Sequence, residues 1–149
     1  PNEDRLLCYT SPPLKEDLAL VGPLKTILHA SSSALDTDWV VRLTWVRRGG
    51  ASVIISGGEL RARYRHGGQT EALLEPDKPE RFEIEMMPLA IVIPKGARLR
   101  LTVTSSDYPG TGRNLNTGQS LDKEKKGEKA INMVYHDRLR PSQVVLPIL

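Results

Sequence analysis

The residues of this chain that could do chemistry are concentrated in two polar stretches of its second half. The first reads SSDYPGTGRNLNTG from residue 105 to residue 118, and the second contains Tyr135, His136 and Asp137. Together they supply serine, histidine and aspartate, the residue types of a nucleophilic triad. A serine nucleophile also needs a sharp turn between a strand and a helix, usually G-x-S-x-G. The nearest match, GQSLD at residues 118–122, lacks the second glycine, so we predict no catalytic residue in this chain.

Metal and cofactor chemistry find still less support in the sequence. The three histidines and one cysteine show no spacing typical of a zinc site. Asp36 and Asp38 could begin a calcium-binding loop, but Trp39 and Val40 follow where further oxygen ligands are needed. No glycine-rich phosphate loop precedes a helix pattern. We therefore predict no metal and no cofactor, and we expect the two aspartates to help anchor a loop.

The 105–118 stretch has the composition of an ordered loop. One proline and three glycines can set its turns, while Asp107, Asn114 and Asn116 can bond nearby backbone groups. We expect the two asparagines to cap adjacent turns through such bonds. We also expect the second polar stretch to lie beside this loop.

Arg113 is the large cation of this loop. Its guanidinium has five donors in a rigid fork, which suits it to tie several acceptors together. We predict that Arg113 is largely buried against loop carbonyls or against a carboxylate of Asp107, Asp36 or Asp38. Arg113→Ala would then cost about 2–4 kcal/mol of stability, because buried acceptors would lose their partner.

Length, charge and cysteine content exclude several classes of protein. The 149 residues suffice for one domain with a buried core, which we place at residues 1–149. The net charge of +3, from 21 basic and 18 acidic side chains, is too even to indicate a nucleic-acid or anionic-membrane partner. No apolar run approaches the roughly 18 residues of a membrane span. Because Cys8 is the single cysteine, no internal disulfide can form, and we expect a cytoplasmic protein.

Apolar and polar residues alternate with a period of two through most of the chain, which indicates strands. The clearest strand, at residues 39–46, places two tryptophans on one apolar face. Turn signals bound roughly eight to ten short strands and no amphipathic helix. We therefore predict an all-β fold, a jelly-roll β-sandwich of two packed antiparallel sheets. The segments that carry this alternation, some of which could join into one strand, are 6–9, 18–21, 24–30, 39–46, 52–56, 59–65, 81–86, 91–93, 98–103, 131–135 and 143–146.

Two local features of these strands invite an interpretation. The pair Gly57-Gly58 indicates a bulge or a bend. Arg61, Arg63 and Arg65 alternate along the next predicted strand and form a basic stripe on one of its faces. A nucleic-acid site would interleave aromatic residues on the same face, and this stripe has none. We predict that the stripe is a solvated or domain-facing surface.

Six motifs follow one another along the chain in a fixed order. They are YTSPPLKEDLALVGP at 9–23, HASSSALDTDW at 29–39, GGELRARYR at 57–65, IPKGARLRLTVTSSDYP at 93–109, RNLNTG at 113–118, and YHD at 135–137 with PSQVVLPI at 141–148. In this order they give the chain a specific family resemblance. It resembles the C-terminal domain of X-Pro dipeptidyl-peptidases and of the related cocaine esterase-like, alpha-amino-acid ester hydrolase-like and glutaryl acylase-like serine hydrolases.

This resemblance implies a jelly-roll β-sandwich of the galactose-binding-like type that packs against an α/β-hydrolase domain. In such hydrolases the catalytic serine, aspartate and histidine all lie upstream, in that other domain. The chain would be one C-terminal domain of a larger protein, which agrees with its lack of an initiator methionine. It would support the catalytic domain and its active-site cleft, and it could assist assembly into a homo-oligomer. The binding or interface candidates are Asp107, Tyr108, Arg113, Asn114, Asn116, Tyr135 and His136.

A free-standing carbohydrate-binding module is the alternative, because sandwiches of this type often bind sugars. Tyr108 and Trp39 would be the stacking platforms. Trp39, however, falls on the apolar face of its predicted strand, and only 5% of the residues are aromatic. A domain that docks on a hydrolase should instead expose an apolar patch larger than a monomer usually carries.

We predict that the purified chain hydrolyses neither chromogenic acetate esters nor X-Pro anilides, because its sequence contains no nucleophile elbow. A turnover assay on these substrates checks the prediction. Labelling of Ser106 or Ser120 by a serine-reactive probe, with activity lost when that serine is replaced by alanine, would contradict it.

Overall fold

Antiparallel strands form the framework of the computed structural model, which describes residues 6–67, 70–120, 122–123 and 125–149. A short 3-10 helix, Ala62–Tyr64, follows the fourth strand. Nothing helical within these ranges has the length and apolar character needed to cross a membrane. The strands are, in chain order, β1 (Leu7–Thr10), β2 (Leu18–Ser32), β3 (Asp38–Val46), β4 (Ser52–Arg61), β5 (Glu80–Ile93), β6 (Arg98–Thr104), β7 (Asn132–Tyr135) and β8 (Gln143–Val145).

The strands form two four-stranded sheets that pack face to face. The first sheet has the order β1-β6-β3-β4. The second has the order β5-β2-β7, with β8 also pairing with β2. The pairings in both sheets are antiparallel. The predicted all-β sandwich is confirmed, and its assignment to the galactose-binding-like jelly rolls stays a prediction.

The alternating apolar positions of β3 and β5 form the centre of the core between the sheets. Trp39 and Phe82 are each 1% exposed, and their ring centroids are 5.5 Å apart. Val41 and Ile84 belong to the same buried cluster. Full burial of apolar side chains of this size stabilises a fold by roughly 1.5–3 kcal/mol each. Trp45, predicted to share the face of Trp39, is only half-buried and packs on a second, smaller cluster.

Two strands run through a proline at which the sequence pattern predicts a break. The predicted strands on either side of Gly22 and Pro23 are one strand, β2, whose register with β5 shifts between Gly22 and Leu24. Gly22 has a φ of +130°, a conformation that glycine adopts without steric cost, so the strand passes the proline without ending. The two predicted strands around Pro88 are likewise continuous in β5.

The interpretation of Gly57 and Gly58 as a bulge is wrong. Both glycines pair regularly with β3, and the register shift lies between Leu43 and Thr44. Gly58 is needed because a strand of the other sheet passes directly over it. A β-carbon built on Gly58 would lie 2.1 Å from the backbone oxygen of Glu85 in β5. The glycine therefore sets how closely β4 and β5 approach.

We expect Gly58→Ala to lower the free energy of unfolding by about 2 kcal/mol or more, because the methyl group would clash with backbone that cannot rotate away. Gly49→Ala is the matched control, since a β-carbon there meets nothing within 4 Å, and its effect should stay within about 0.5 kcal/mol. Chemical denaturation measures both variants. Equal stabilities would contradict the close approach of the two strands.

Candidate functional site

Three alternating arginines at and just after the end of β4 each pair with a carboxylate, which corrects the prediction of a solvated or domain-facing stripe. The chain leaves the strand at Arg61 and enters the 3-10 helix, so the period of two ends there. As a result, Arg63 is 1% exposed and does not stand in solvent. The three ion pairs, named here the arginine cluster, are Arg61–Asp38, Arg63–Asp36 and Arg65–Glu80.

The Arg63–Asp36 pair is the buried centre of this cluster. Nε of Arg63 donates to Oδ2 of Asp36 at 2.6 Å, and the backbone N–H of Arg63 donates to Oδ1 at 2.9 Å. Nη2 of Arg63 also donates to the carbonyl of Gln119 at 3.0 Å. Burial lowers the pKa of the Arg63 guanidinium, but the hydrogen bond to Asp36 and the negative charges of Asp36 and Glu71 leave this pKa raised. The guanidinium therefore stays charged and depends on its carboxylate partner.

Asn114 connects the arginine cluster to the 105–118 loop. Its Nδ2 donates to Oδ2 of Asp36 at 2.9 Å and to Oδ1 of Asp38 at 2.8 Å. Nη2 of Arg61 donates to the carbonyl of Gly112 at 3.0 Å, in the same loop. The two aspartates thus anchor a loop, as predicted.

The loop is also fixed by its own asparagines and glycine. Oδ1 of Asn114 accepts the backbone N–H of Asn116 at 2.9 Å, which is the predicted capping bond. Nδ2 of Asn116 instead donates to the carbonyl of Glu128 at 3.0 Å, so it ties the loop to the following segment. Gly118 has a φ of +74°, and a β-carbon on it would lie 3.0 Å from Cβ of Leu35. Glycine is therefore needed where the loop passes this leucine.

The prediction that Arg113 is buried is wrong. The side chain is exposed, and its Cζ lies 4.1 Å from the ring centroid of Tyr108, which is itself 60% exposed. Two of the acceptors expected to hold Arg113 have other partners. Asp36 pairs with Arg63 and Asp38 pairs with Arg61, and both accept a hydrogen bond from Asn114. A stacked tyrosine and arginine thus stand on the surface of a loop whose base is fixed.

The first half of the loop lies across the outer face of the first sheet. Asp107 forms an ion pair with Arg42 of β3. Oγ1 of Thr111 donates to a carboxylate oxygen of Glu59 in β4. These contacts hold the backbone on both sides of Tyr108.

The second polar stretch is anchored to the strands β1 and β2. The Oη of Tyr135 and the Oγ of Ser31 in β2 are 3.0 Å apart. The ring of His136 meets the ring of Tyr9 in β1 edge-on, with centroids 5.7 Å apart and planes inclined at 72°. The contacts described above for the 105–118 loop go to β3, β4 and their flanking turns. The two stretches are therefore anchored to different parts of the sandwich.

The residues that suggested a triad are engaged in structural contacts. Oγ of Ser106 accepts a backbone N–H of its own loop at 3.3 Å, and Asp107 pairs with an arginine. Asp137 pairs with Arg140 at 2.8 Å, and the hydrogen bond from this arginine lowers the pKa of the Asp137 carboxyl. Within the described ranges, no group of three or more histidine, cysteine or acidic side chains could hold a metal ion. The contacts of Ser106, Asp107 and Asp137 thus hold loop backbone and neighbouring arginines in position.

Sequence reasoning missed the pairing of Arg63 with Asp36. A signal was present, because two aspartates stand directly before the most apolar strand and buried acidic residues are almost always paired. The sequence pattern did not identify Arg63 as the partner of Asp36, because the strand period places Arg63 on an exposed face.

We expect Arg63→Met to lower the free energy of unfolding by about 3–5 kcal/mol, because it leaves the buried Asp36 carboxylate without its charged partner. Arg113→Ala is the matched control, since it removes an exposed cation–π contact worth about 0.5–1 kcal/mol. Urea denaturation at neutral pH measures both variants. A larger loss for Arg113→Ala than for Arg63→Met would contradict the assigned contacts.

Known proteins contain the whole of this architecture. The family model described as X-Pro dipeptidyl-peptidase C-terminal non-catalytic domain matches residues 1–145. The chain is 32% identical over 150 residues to cocaine esterase of Rhodococcus sp. (strain MB1 Bresler), with 99% of this chain and 26% of that protein covered. A solved alpha-amino acid ester hydrolase is similar with a TM-score of 0.91 and 29% identity, over 97% of this chain and 25% of that one.

A second solved structure shows the same relation. An aminopeptidase from the marine sediment archaeon Thaumarchaeota archaeon is similar with a TM-score of 0.87 and 26% identity, over 97% of this chain and 26% of that one. The chain thus spans about a quarter of the length of these relatives. It belongs to the family of X-Pro dipeptidyl-peptidase C-terminal non-catalytic domains.

Proposed function

We propose that the chain is the accessory domain of a larger serine hydrolase, in which a preceding α/β-hydrolase domain carries out ester or amide hydrolysis. The family match over residues 1–145 carries this proposal, because that family is described as C-terminal and non-catalytic. The names of the relatives, an esterase, an ester hydrolase and an aminopeptidase, favour an ester or amide bond as the one that is cleaved. X-Pro dipeptides are the substrate class that the family description suggests.

The 105–118 loop offers a surface suited to that partner domain. Tyr108 and Arg113 are exposed, while Asp107, Asn114 and Asn116 hold the loop beneath them. Aromatic and arginine side chains are enriched in protein–protein interfaces. A loop that is already ordered loses little conformational entropy when it binds. In this proposal Tyr108 and Arg113 contact the catalytic domain and help to support the wall of its cleft.

Tyr135 and His136 are the second pair of interface candidates in the proposal. His136 is exposed, although its ring edge contacts Tyr9. The guanidinium carbon of Arg140 lies 3.9 Å from the ring centroid of Tyr135. This aromatic and cationic pairing resembles that of Tyr108 and its arginine, and it suits a protein surface equally well.

A carbohydrate-binding module has less support than the accessory domain. Sugar stacking requires an aromatic face that is open to solvent. Trp39 is 1% exposed, and Arg113 covers one face of the Tyr108 ring.

The proposal also includes a cytoplasmic setting, because the single Cys8 leaves no need for an oxidising compartment. Assembly of the parent protein into a homo-oligomer is a further part of it, to be measured on the longer polypeptide.

The proposal is tested on the polypeptide that carries this chain together with the sequence preceding it. We expect a fluorophosphonate probe to label one serine upstream of Pro1, within a G-x-S-x-G sequence. Activity toward nitrophenyl esters and X-Pro anilides should disappear when that serine is replaced by alanine. The same replacement at Ser106 or Ser120 should leave kcat/KM unchanged.

Deletion of residues 6–149 from that polypeptide tests the accessory role. We expect a lower thermal midpoint and a lower kcat/KM, because the catalytic domain would lose a supporting surface. Full activity and unchanged stability after the deletion would contradict the accessory role. The lack of any labelled upstream serine would contradict the assignment to a serine hydrolase.

A further inference from the structure

One side of the sandwich is open, where β1 of the first sheet faces β7 and β8 of the second. Leu7 and Tyr9 of β1 lie opposite Val103 and Leu101 of β6 in the antiparallel register, so these side chains share the inner face of the sheet. Val103 is 3% exposed, but Leu7 is 44% and Tyr9 is 36% exposed. Inward-facing apolar side chains are thus left partly uncovered along this edge.

Two cavities enter the interior along this open side. The larger has a volume of about 380 Å³, and its lining includes Leu7, Trp39 and Val103. The smaller has a volume of about 210 Å³ and lies between the sheets, where Val103 and Val134 contribute to its mainly apolar wall. Because Val103 lines both cavities, the two lie next to each other along the open side.

Two buried polar atoms in the residues around the larger cavity have no hydrogen-bond partner within the described part of the chain. They are Nε1 of Trp39, a donor, and Oδ1 of Asn132, an acceptor. Both residues line this cavity. Buried polar groups are nearly always paired in folded proteins, so this end of the core is incompletely satisfied within the described residues. Nε1 of Trp45 is unpaired as well, but Trp45 lies towards the other end of β3 and does not line either cavity.

We propose, building on the proposed function, that the open side receives an apolar segment of the hydrolase domain that precedes this one. The family is described as C-terminal, and most of the length of the relatives lies outside the match. The polypeptide therefore arrives from the hydrolase domain at the start of β1, where Leu6 and Leu7 line the larger cavity. The occupant's apolar side chains would cover Leu7 and Tyr9, which are partly uncovered in this chain.

The test compares the 149-residue chain, with its fold checked by circular dichroism, with the longer polypeptide that includes the hydrolase domain. Amide hydrogen exchange on the wild-type proteins should show β1, β7 and β8 protected about tenfold or more in the longer polypeptide. The outer turn between β3 and β4, which is far from the open side, should exchange equally in both. Equal exchange of β1, β7 and β8 in the two proteins would overturn the inference.

Leu7→Ser tests the same surface by substitution, and Val92→Ser is the matched control at a 59% exposed apolar position of β5. In the longer polypeptide, Leu7→Ser should speed proteolytic cleavage between the domains about tenfold, whereas Val92→Ser should not. In the 149-residue chain both variants should keep a near wild-type unfolding midpoint, because Leu7 is 44% and Val92 is 59% exposed there. An equal loss of stability for Leu7→Ser in both proteins would assign Leu7 an internal role and overturn the inference.

Serine labelling of the longer polypeptide keeps this inference separate from the proposed function. If no upstream serine is labelled, the proposed function fails. If the serine is labelled but β1, β7 and β8 stay unprotected, only the docking inference fails. A dimer of the longer polypeptide that dissociates on Leu7→Ser would assign the open side to a second copy, and this result would also overturn the inference.

Discussion

The buried ion pair between Arg63 and Asp36 is the interaction on which the rest of this domain depends. Two opposite charges removed from water gain little net stability from each other, but either one alone is costly. The pair therefore constrains the path of the chain, because β4 must end at Arg61 and turn before the next arginine can point inward. The same Asp36 carboxylate also accepts Asn114, so the order of the 105–118 loop follows from the same constraint.

The function proposed for the domain follows from the partners that the carboxylates of Asp36 and Asp38 bind. Because these carboxylates pair with other arginines and with Asn114 beneath the loop, Arg113 stacks on Tyr108 at the surface. Asp107, which could have suggested catalysis, holds the loop on β3 through Arg42. The domain thus uses its polar residues to fix shape and to display two side chains. That use agrees with the non-catalytic description of its family.

The two sides of the sandwich differ in how the sheets meet. On the β4–β5 side, Gly58 allows close backbone approach, and Oγ of Ser56 donates to the carbonyl of Met87 at 2.7 Å. On the β1 side, the ring contact between Tyr9 and His136 spans the gap, and cavities lie beside it. Backbone contact closes one side, while side chains only partly close the other. This asymmetry suits a domain that is one part of a larger assembly.

The sequence by itself determined the all-β class, because side chains alternate between the two faces of a strand whatever surrounds it. It also determined the family through six ordered motifs, and it indicated that Asp36 and Asp38 anchor a loop. Only the tertiary structure decided that Arg63, and not Arg113, reaches Asp36. These partners are 27 residues apart and meet only when the turn after β4 stands beside the turn before β3. The tertiary structure likewise decided the role of Gly58, since the backbone that crowds it belongs to the opposite sheet.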